Sequence, residues 1–241
     1  MNEVREETII GLKRQYKKAK QYVEEFFSKN PVDKEKFFEC FHIRPTTSYL
    51  RIVCTADNTR LAMRTAKAVN KDDFFDLIYK SLLLINDIEK IQNLTKDEII
   101  KNYGFNVYDI GKRREQTEYV IQAKFCQFLK KEGFNLLATE FNIKAKGRQR
   151  IDVVARKGKE LWLFEIKDGD VITDSTDQVL SYKNIVEQNR QACFELLSIF
   201  DKELKEDFVV KTGVVYTKGQ KSKDVIDLLL KYDKENKTFI N

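Results

Sequence analysis

Residues 150–167, RIDVVARKGKELWLFEIK, constrain the fold more than any other stretch. Two apolar runs lie on either side of one glycine, the pattern of an antiparallel hairpin. With Gly158 and Lys159 as the central residues, glycine first as a type II′ turn prefers, Lys157 faces Glu160, Val154 faces Leu163 and Val153 faces Phe164. The same register sets Asp152 against Glu165. Facing side chains have Cβ atoms ~4.5–5.5 Å apart, and like charges there destabilise a sheet. Two carboxylates so held call for a shared proton or a cation bound by both. Alternation along the strand puts Lys167 on the face of Glu165 and turns Trp162, Phe164 and Ile166 to the other. The plainer reading makes the two acids solvated strand ends with Lys167 as a counter-ion. Against it stand the long apolar runs, which fix the register and place an acid opposite acid-x-lysine.

Around this hairpin the pattern alternates. A helix is predicted at about 113–132, stopped by Gly133, then a strand in FNLLATEFNIK, the hairpin, a long helix from about 175, a strand in DFVVKTGVVYTK and a closing helix in KSKDVIDLLLKY. This is a mixed α/β core of about 130 residues, the size of a single domain. Gly104 and Gly111 interrupt the pattern just upstream, so the boundary is placed near Ile110, dividing the chain into residues 1–110 and 111–241. The first part reads as mainly helical. Helical spacing runs through the first thirty residues to Asn30-Pro31, and again from Lys71 to Asn93, while Thr95 to Glu98 forms a capping-box signature. TSYLRIVCTA fits a short strand or a buried helical turn equally well. No motif in this part carries chemistry.

Composition narrows the function classes. The formal net charge of +6 favours a polyanionic partner without identifying one, and neither half is a basic tail. Cys40, Cys54, Cys126 and Cys193 are too scattered for a zinc or iron–sulfur site and are expected as reduced thiols. His42, the single histidine, disfavours multi-histidine metal sites and leaves one candidate for a nucleophilic triad, a role less common than a structural one. No apolar run reaches the roughly 18 residues that span a bilayer, and MNEVREETII lacks the apolar core of a signal peptide, so a cytoplasmic protein without a membrane partner is expected.

Asp152 on one strand with Glu165, Ile166 and Lys167 on the next resembles the PD-(D/E)XK nuclease superfamily, whose core hairpin carries Asp followed by Glu-x-Lys. Glu118, on the preceding helix, matches a Glu that supports the metal site in many members, with Glu115 as a competitor. Gln178 and Tyr182, at i and i+4 in DQVLSY, are similar to the Q-x-x-x-Y motif of RecB-like and NucS-like nucleases. Ile151 departs from the proline usual before the Asp. The resemblance covers about Arg113 to Leu230. It implies a restriction-endonuclease-like core, a Mg²⁺ or Mn²⁺ cofactor held by Asp152, Glu165 and the main-chain carbonyl of Ile166, and a catalytic set of Asp152, Glu165, Lys167, Glu118, Gln178 and Tyr182. Hard oxygen ligands suit such cations, and Lys167 is better placed to orient water or stabilise the transition state than to bind metal.

Upstream, Lys144, Lys146, Arg148 and Arg150 recur at every second position, which on extended backbone aligns four cations for nucleic-acid phosphates; a solvated loop explains the same residues. The function expected is metal-dependent phosphodiester hydrolysis, with DNA as substrate, in repair, recombination or defence against foreign DNA. Endonuclease and exonuclease modes stay open, as does a homodimer. The rivals are a catalytically silent nuclease-fold module that contacts DNA and a pure protein-interaction scaffold.

Overall fold

The computed structural model describes residues 6–28, 31–57, 59–88, 90–107, 113–142, 150–169, 172–218 and 226–240, without the side chains of 32, 113–117 and 172–174. The chain forms two compact units. One comprises Ile10–Gln127; the other comprises Phe128–Asn241, with residues up to Ile9 counted in it.

The first unit contains helices α1 (Glu6–Phe27, from Ile10 on) and α2 (Pro31–Cys40), strands β1 (Phe41–Pro45), β2 (Leu50–Cys54) and β3 (Thr65–Ala68), helix α3 (Lys71–Asp87), a 3-10 turn at Lys90–Asn93, and helices α4 (Lys96–Tyr103) and α5 (Arg113–Lys131, up to Gln127). Pro31 opens α2, where its missing N–H is harmless and its fixed φ suits a first helical turn. Asn70 caps α3 by accepting from the Asp73 N–H at 2.8 Å, and both halves of the Thr95/Glu98 capping box form at α4. The three strands make an antiparallel sheet in the order β1-β2-β3, so TSYLRIVCTA contains a strand, and the part expected to be mainly helical also holds a sheet. One sheet face buries Phe41, Ile43, Leu50, Ile52, Ala66 and Ala68. Phe37 stacks on Phe41 at 5.4 Å and meets Phe27 at 5.6 Å, while Phe41 meets Phe105 at 5.7 Å, an aromatic chain at the centre of this unit's core.

The second unit is built on a six-stranded mixed sheet, ordered β4 (Asn135–Phe141), β5 (Ile151–Lys157), β6 (Glu160–Lys167), β7 (Val209–Tyr216), β8 (Leu228–Asp233) and β9 (Thr238–Ile240). Strand β5 runs antiparallel to both β4 and β6; β7 runs parallel to β6 after a crossover through α6 (Ile172–Gln188) and α7 (Arg190–Leu197), β8 is parallel to β7, and β9 is antiparallel to β8. The hairpin register follows the expected pairing throughout, from Lys157↔Glu160 to Val153↔Phe164. Gly158 has φ +58° and Lys159 a negative φ, as glycine in the first turn position allows. Arg156, buried on β5, ties the hairpin tip to the segment after α7: it donates to the Gly158 carbonyl at 3.0 Å, to both Asp201 oxygens, and to Glu203 Oε2 at 2.6 Å. Gly213 of β7 faces Phe164 of β6, and a Cβ there would fall 2.5 Å from the Phe164 ring, so glycine lets that ring lie flat against its neighbour strand.

The closing helix expected in KSKDVIDLLLKY is instead strand β8 over Leu228–Asp233; residues 219–225 lie outside the described residues. Three consecutive leucines carry no period that separates helix from strand. Pairing on both sides decides it, and Asp227 fixes the start by accepting from the Thr212 N–H at 2.8 Å and Lys211 Nζ at 2.9 Å on β7. Among the described residues no helix is long and apolar enough to cross a membrane.

Candidate active site

The acids lie where the hairpin ladder ends. One step beyond its last pair, Val153↔Phe164, Asp152 and Glu165 are the next facing residues. On the other side of β5, the pairs Thr139↔Val153 and Phe141↔Ile151 leave Glu140 opposite Asp152. A shift of register between Leu136 and Ala138 and a left-handed φ of +51° at Glu140 aim that side chain locally. Three acidic residues thus occupy facing positions across β4, β5 and β6.

Each acid has a defined set of partners. Asp152 Oδ2 accepts from the Ile166 N–H at 2.8 Å. Burial holds the Asp152 carboxyl well above its ordinary range, and the charges of Glu165 and Glu140 push the same way against the Ile166 N–H and Lys167. The Glu165 side chain is 2% exposed and lies 2.5 Å from Lys167 Nζ through Oε1. Its Oε2 receives the Tyr182 hydroxyl at 3.0 Å. Glu140 turns Oε2 towards the Arg150 guanidinium at 3.3 Å. Among the described residues, no group of three or more His, Cys, Asp or Glu side chains is arranged to hold a metal ion.

Helix α6 brings the paired glutamine and tyrosine onto the acids. Gln178 Nε2 donates to the Tyr182 hydroxyl at 2.6 Å, and that hydroxyl lies 2.7 Å from the Arg150 carbonyl as well as 3.0 Å from Glu165. A phenol has one proton, so it serves one of the two acceptors at a time, and the charged one gives the stronger bond. Burial raises the Tyr182 pKa, with the charges of Glu165 and Asp152 acting in the same direction, so the phenol stays protonated and able to donate.

Comparison with protein-family models, with curated proteins and with solved structures finds no match to this chain. The site therefore stands on its own geometry.

Of the residues singled out from the sequence, Asp152, Glu165, Ile166, Lys167, Gln178 and Tyr182 come together in the second unit. Glu118 lies on α5 within the first unit, Ile10–Gln127. Lys144, Lys146 and Arg148 fall outside the described residues. Arg150 is exposed and engages the site twice, through its carbonyl to Tyr182 and its guanidinium to Glu140. Glu140, which from sequence reads as a surface strand residue more readily than as a further ligand, stands opposite Asp152. Its signal is an acid within the apolar run LLATEF, but the chain between β4 and β5 leaves that register unreadable.

Proposed function

We propose that the protein is a metal-dependent nuclease of the PD-(D/E)XK kind with a restriction-endonuclease-like core, hydrolysing phosphodiester bonds in DNA for repair, recombination or defence against foreign DNA. The observation that carries this reading is the half-buried Asp152 facing the buried Glu165, with Lys167 on the same patch and in contact with Glu165. The chain order also supports it: helix, strand, hairpin, helix, strand is the order that the family resemblance implies.

The donor set fits Mg²⁺ or Mn²⁺. Asp152 and Glu165 offer hard carboxylate oxygens whose mutual repulsion a divalent cation relieves, with the Ile166 carbonyl as the third donor implied by the resemblance. Such a cation supplies an acidified water and neutralises charge gathering on phosphate oxygens. The remaining work falls to the chain. The Ile166 N–H orients the Asp152 carboxylate, and Tyr182, steadied by Gln178, orients that of Glu165. Lys167 moves its ammonium from Glu165 to the attacking water or to the developing phosphorane charge.

The test is cleavage of duplex DNA, single-stranded DNA and RNA, with Mg²⁺, with Mn²⁺ and with chelator, by wild type and Glu165→Gln. The expected result is metal-dependent cleavage of DNA that Glu165→Gln abolishes while staying folded. Absence of cleavage of every substrate, or a Glu165→Gln variant as active as wild type, overturns the proposal.

A further inference from the structure

The sheet of the first unit presents a second row of like charges, opposite in sign. Arg44 of β1 faces Arg51 of β2, and Arg51 faces Lys67 of β3, so three cations stand directly abreast across all three strands. Neighbouring strands are ~4.8 Å apart, and like charges directly opposite destabilise a sheet.

The surroundings divide this outer face in two. Its far end is dry: Val53 packs with Ala62, Met63 and Ala123, flanked by Tyr119 and Val120. Its near end carries the cations, with Lys67 exposed and Arg44 and Arg51 half-buried. Tyr49 stands among them. Arg51 donates one guanidinium nitrogen to the Tyr49 hydroxyl at 2.9 Å and another to Thr65 Oγ1 at 3.1 Å. The Tyr49 ring lies 5.2 Å from the Arg51 guanidinium carbon and 4.4 Å from Lys67 Nζ. The hydrogen bond from Arg51, with the charges of Arg51, Lys67 and Arg44, draws the Tyr49 phenol below its ordinary pKa against the opposing effect of burial. Neither Arg51 nor Lys67 forms an ion pair with a carboxylate among the described residues. Both rest on the neutral groups of Tyr49 and Thr65, so the cations are held in place while their charge stays uncompensated by acids.

We propose that this basic row is a nucleic-acid backbone site, with Arg44, Arg51 and Lys67 contacting consecutive phosphates and Tyr49 and Thr65 holding the Arg51 fork in position. The choice of nucleic acid among polyanions rests on the nuclease reading of the other unit; the charge row does not. Contacts of this kind give affinity and salt dependence without reading sequence.

The test is fluorescence anisotropy of labelled single-stranded and duplex DNA from 50 to 200 mM salt, in chelator so that no cleavage intervenes, with the full chain as wild type, Lys67→Gln, and Arg51→Gln/Lys67→Gln. Lys67→Gln removes an exposed ammonium that has no hydrogen-bond partner among the described residues, and it serves where the double variant misfolds. Each lost phosphate contact lowers the log–log salt slope by ~0.7 for single strands and ~0.9 for duplex. The double variant is therefore expected to lose about 1.4 to 1.8 from the slope, and Lys67→Gln about half of that. A charge-matched control, Lys34→Gln/Lys101→Gln on α2 and α4, is expected to leave the slope unchanged. Equal slopes in wild type and Lys67→Gln, an equal fall in the control, or wild-type binding to heparin but not to DNA, overturns the site. Absence of cleavage with this binding intact would sink the nuclease reading and leave the site standing.

Discussion

Replacing Tyr182 by Phe removes one oxygen atom from a nearly buried ring and leaves the packing in place, so the change isolates hydrogen bonding. The hydroxyl has three polar neighbours: Glu165 Oε2 at 3.0 Å, the Arg150 carbonyl at 2.7 Å and Gln178 Nε2 at 2.6 Å. With one proton it makes one donated and one accepted bond. The donated bond to a carboxylate is worth ~1.5–3 kcal/mol, and its loss falls on an acid only 2% exposed. Gln178 is half-buried and can turn its amide to water, so the accepted bond adds ~0.5 kcal/mol. The total is about 2 to 3.5 kcal/mol.

Urea unfolding followed by tryptophan fluorescence measures this directly. Trp162 is the single tryptophan and lies on β6 three residues before Glu165, so its signal reports the unit that holds the site. With a urea slope of ~2 kcal/mol/M, the midpoint of Tyr182→Phe should fall by about 1 to 1.8 M. In a Glu165→Gln background the acceptor is neutral, and the same change should cost only ~1 kcal/mol, giving a coupling of ~1–2.5 kcal/mol in the double-mutant cycle. A loss below ~0.5 kcal/mol, or a cycle without coupling, refutes the reasoning, because the hydroxyl would then exchange Glu165 for water at no penalty.

Three further outcomes follow from the same geometry. Lys167→Ala should abolish cleavage and spare DNA binding, and should lower unfolding stability by about 1–2 kcal/mol; the amount is less than for a fully buried pair because Lys167 is about a third exposed. Asp152 titrates above its unfolded value of ~3.9, so its proton favours the native state: that contribution is complete below the unfolded value and is lost as pH rises through the folded one. Asp152→Asn should therefore gain on wild type as pH increases from 4 to 8 in chelator, and parallel urea-midpoint curves would contradict this. Asp201 behaves in the opposite sense. Burial would raise its pKa, but the Arg156 hydrogen bond, the Glu203 N–H and the Asn135 side chain together hold it below the ordinary value. Its stabilisation is present above the unfolded value and fades as pH falls through the folded one, so the deficit of Asp201→Asn should be full at pH 7 and shrink below about pH 4, as thermal unfolding at the two pH values would record.

The hairpin is legible in the sequence because its turn and its apolar runs fix one register, and every pair from Lys157↔Glu160 to Val153↔Phe164 follows from the position of Gly158. Gln178 and Tyr182 are legible as a pair because a helix puts i and i+4 together whatever they contact. What they contact is not: the hydroxyl reaches back 32 residues to the Arg150 carbonyl and 17 to Glu165 through a packing of helix on sheet that no local pattern encodes. Glu140 is hidden for a related reason, since its register depends on a bulge at Leu136/Ala138 and on the connection before β5. Strand β8 reads as helix because LLL has no period, and its identity comes from neighbours on both sides. In the first unit Arg44, Arg51 and Lys67 look like scattered charges along the chain, and only the pairing of three short strands, joined by connections of unequal length, places them abreast.

The two units share one physical oddity. Each sheet aligns three like charges across adjacent strands: Glu140, Asp152 and Glu165 in one, Arg44, Arg51 and Lys67 in the other. Both arrangements oppose folding through the same cross-strand repulsion, and each is eased locally, the acids by Lys167 and the Ile166 N–H, the cations by the Tyr49 ring and Thr65. Lys167 and Arg150 offset part of the acidic row's charge by pairing with Glu165 and Glu140, whereas Arg51 and Lys67 rest on neutral groups. The full relief of an acidic row is a multivalent cation, and that of a basic row is a polyanion, the two components that metal-dependent phosphodiester hydrolysis brings together. A charge row by itself is equally the mark of a solvated sheet face, so the nuclease reading rests on Asp152, Glu165 and Lys167, and the basic row takes the identity of its polyanion from that reading. It follows that divalent metal should raise the wild-type unfolding temperature and leave that of Asp152→Asn unmoved, whereas DNA added in chelator should stabilise both alike. A metal response that survives in Asp152→Asn would place the cation elsewhere and break the pairing of row with ligand.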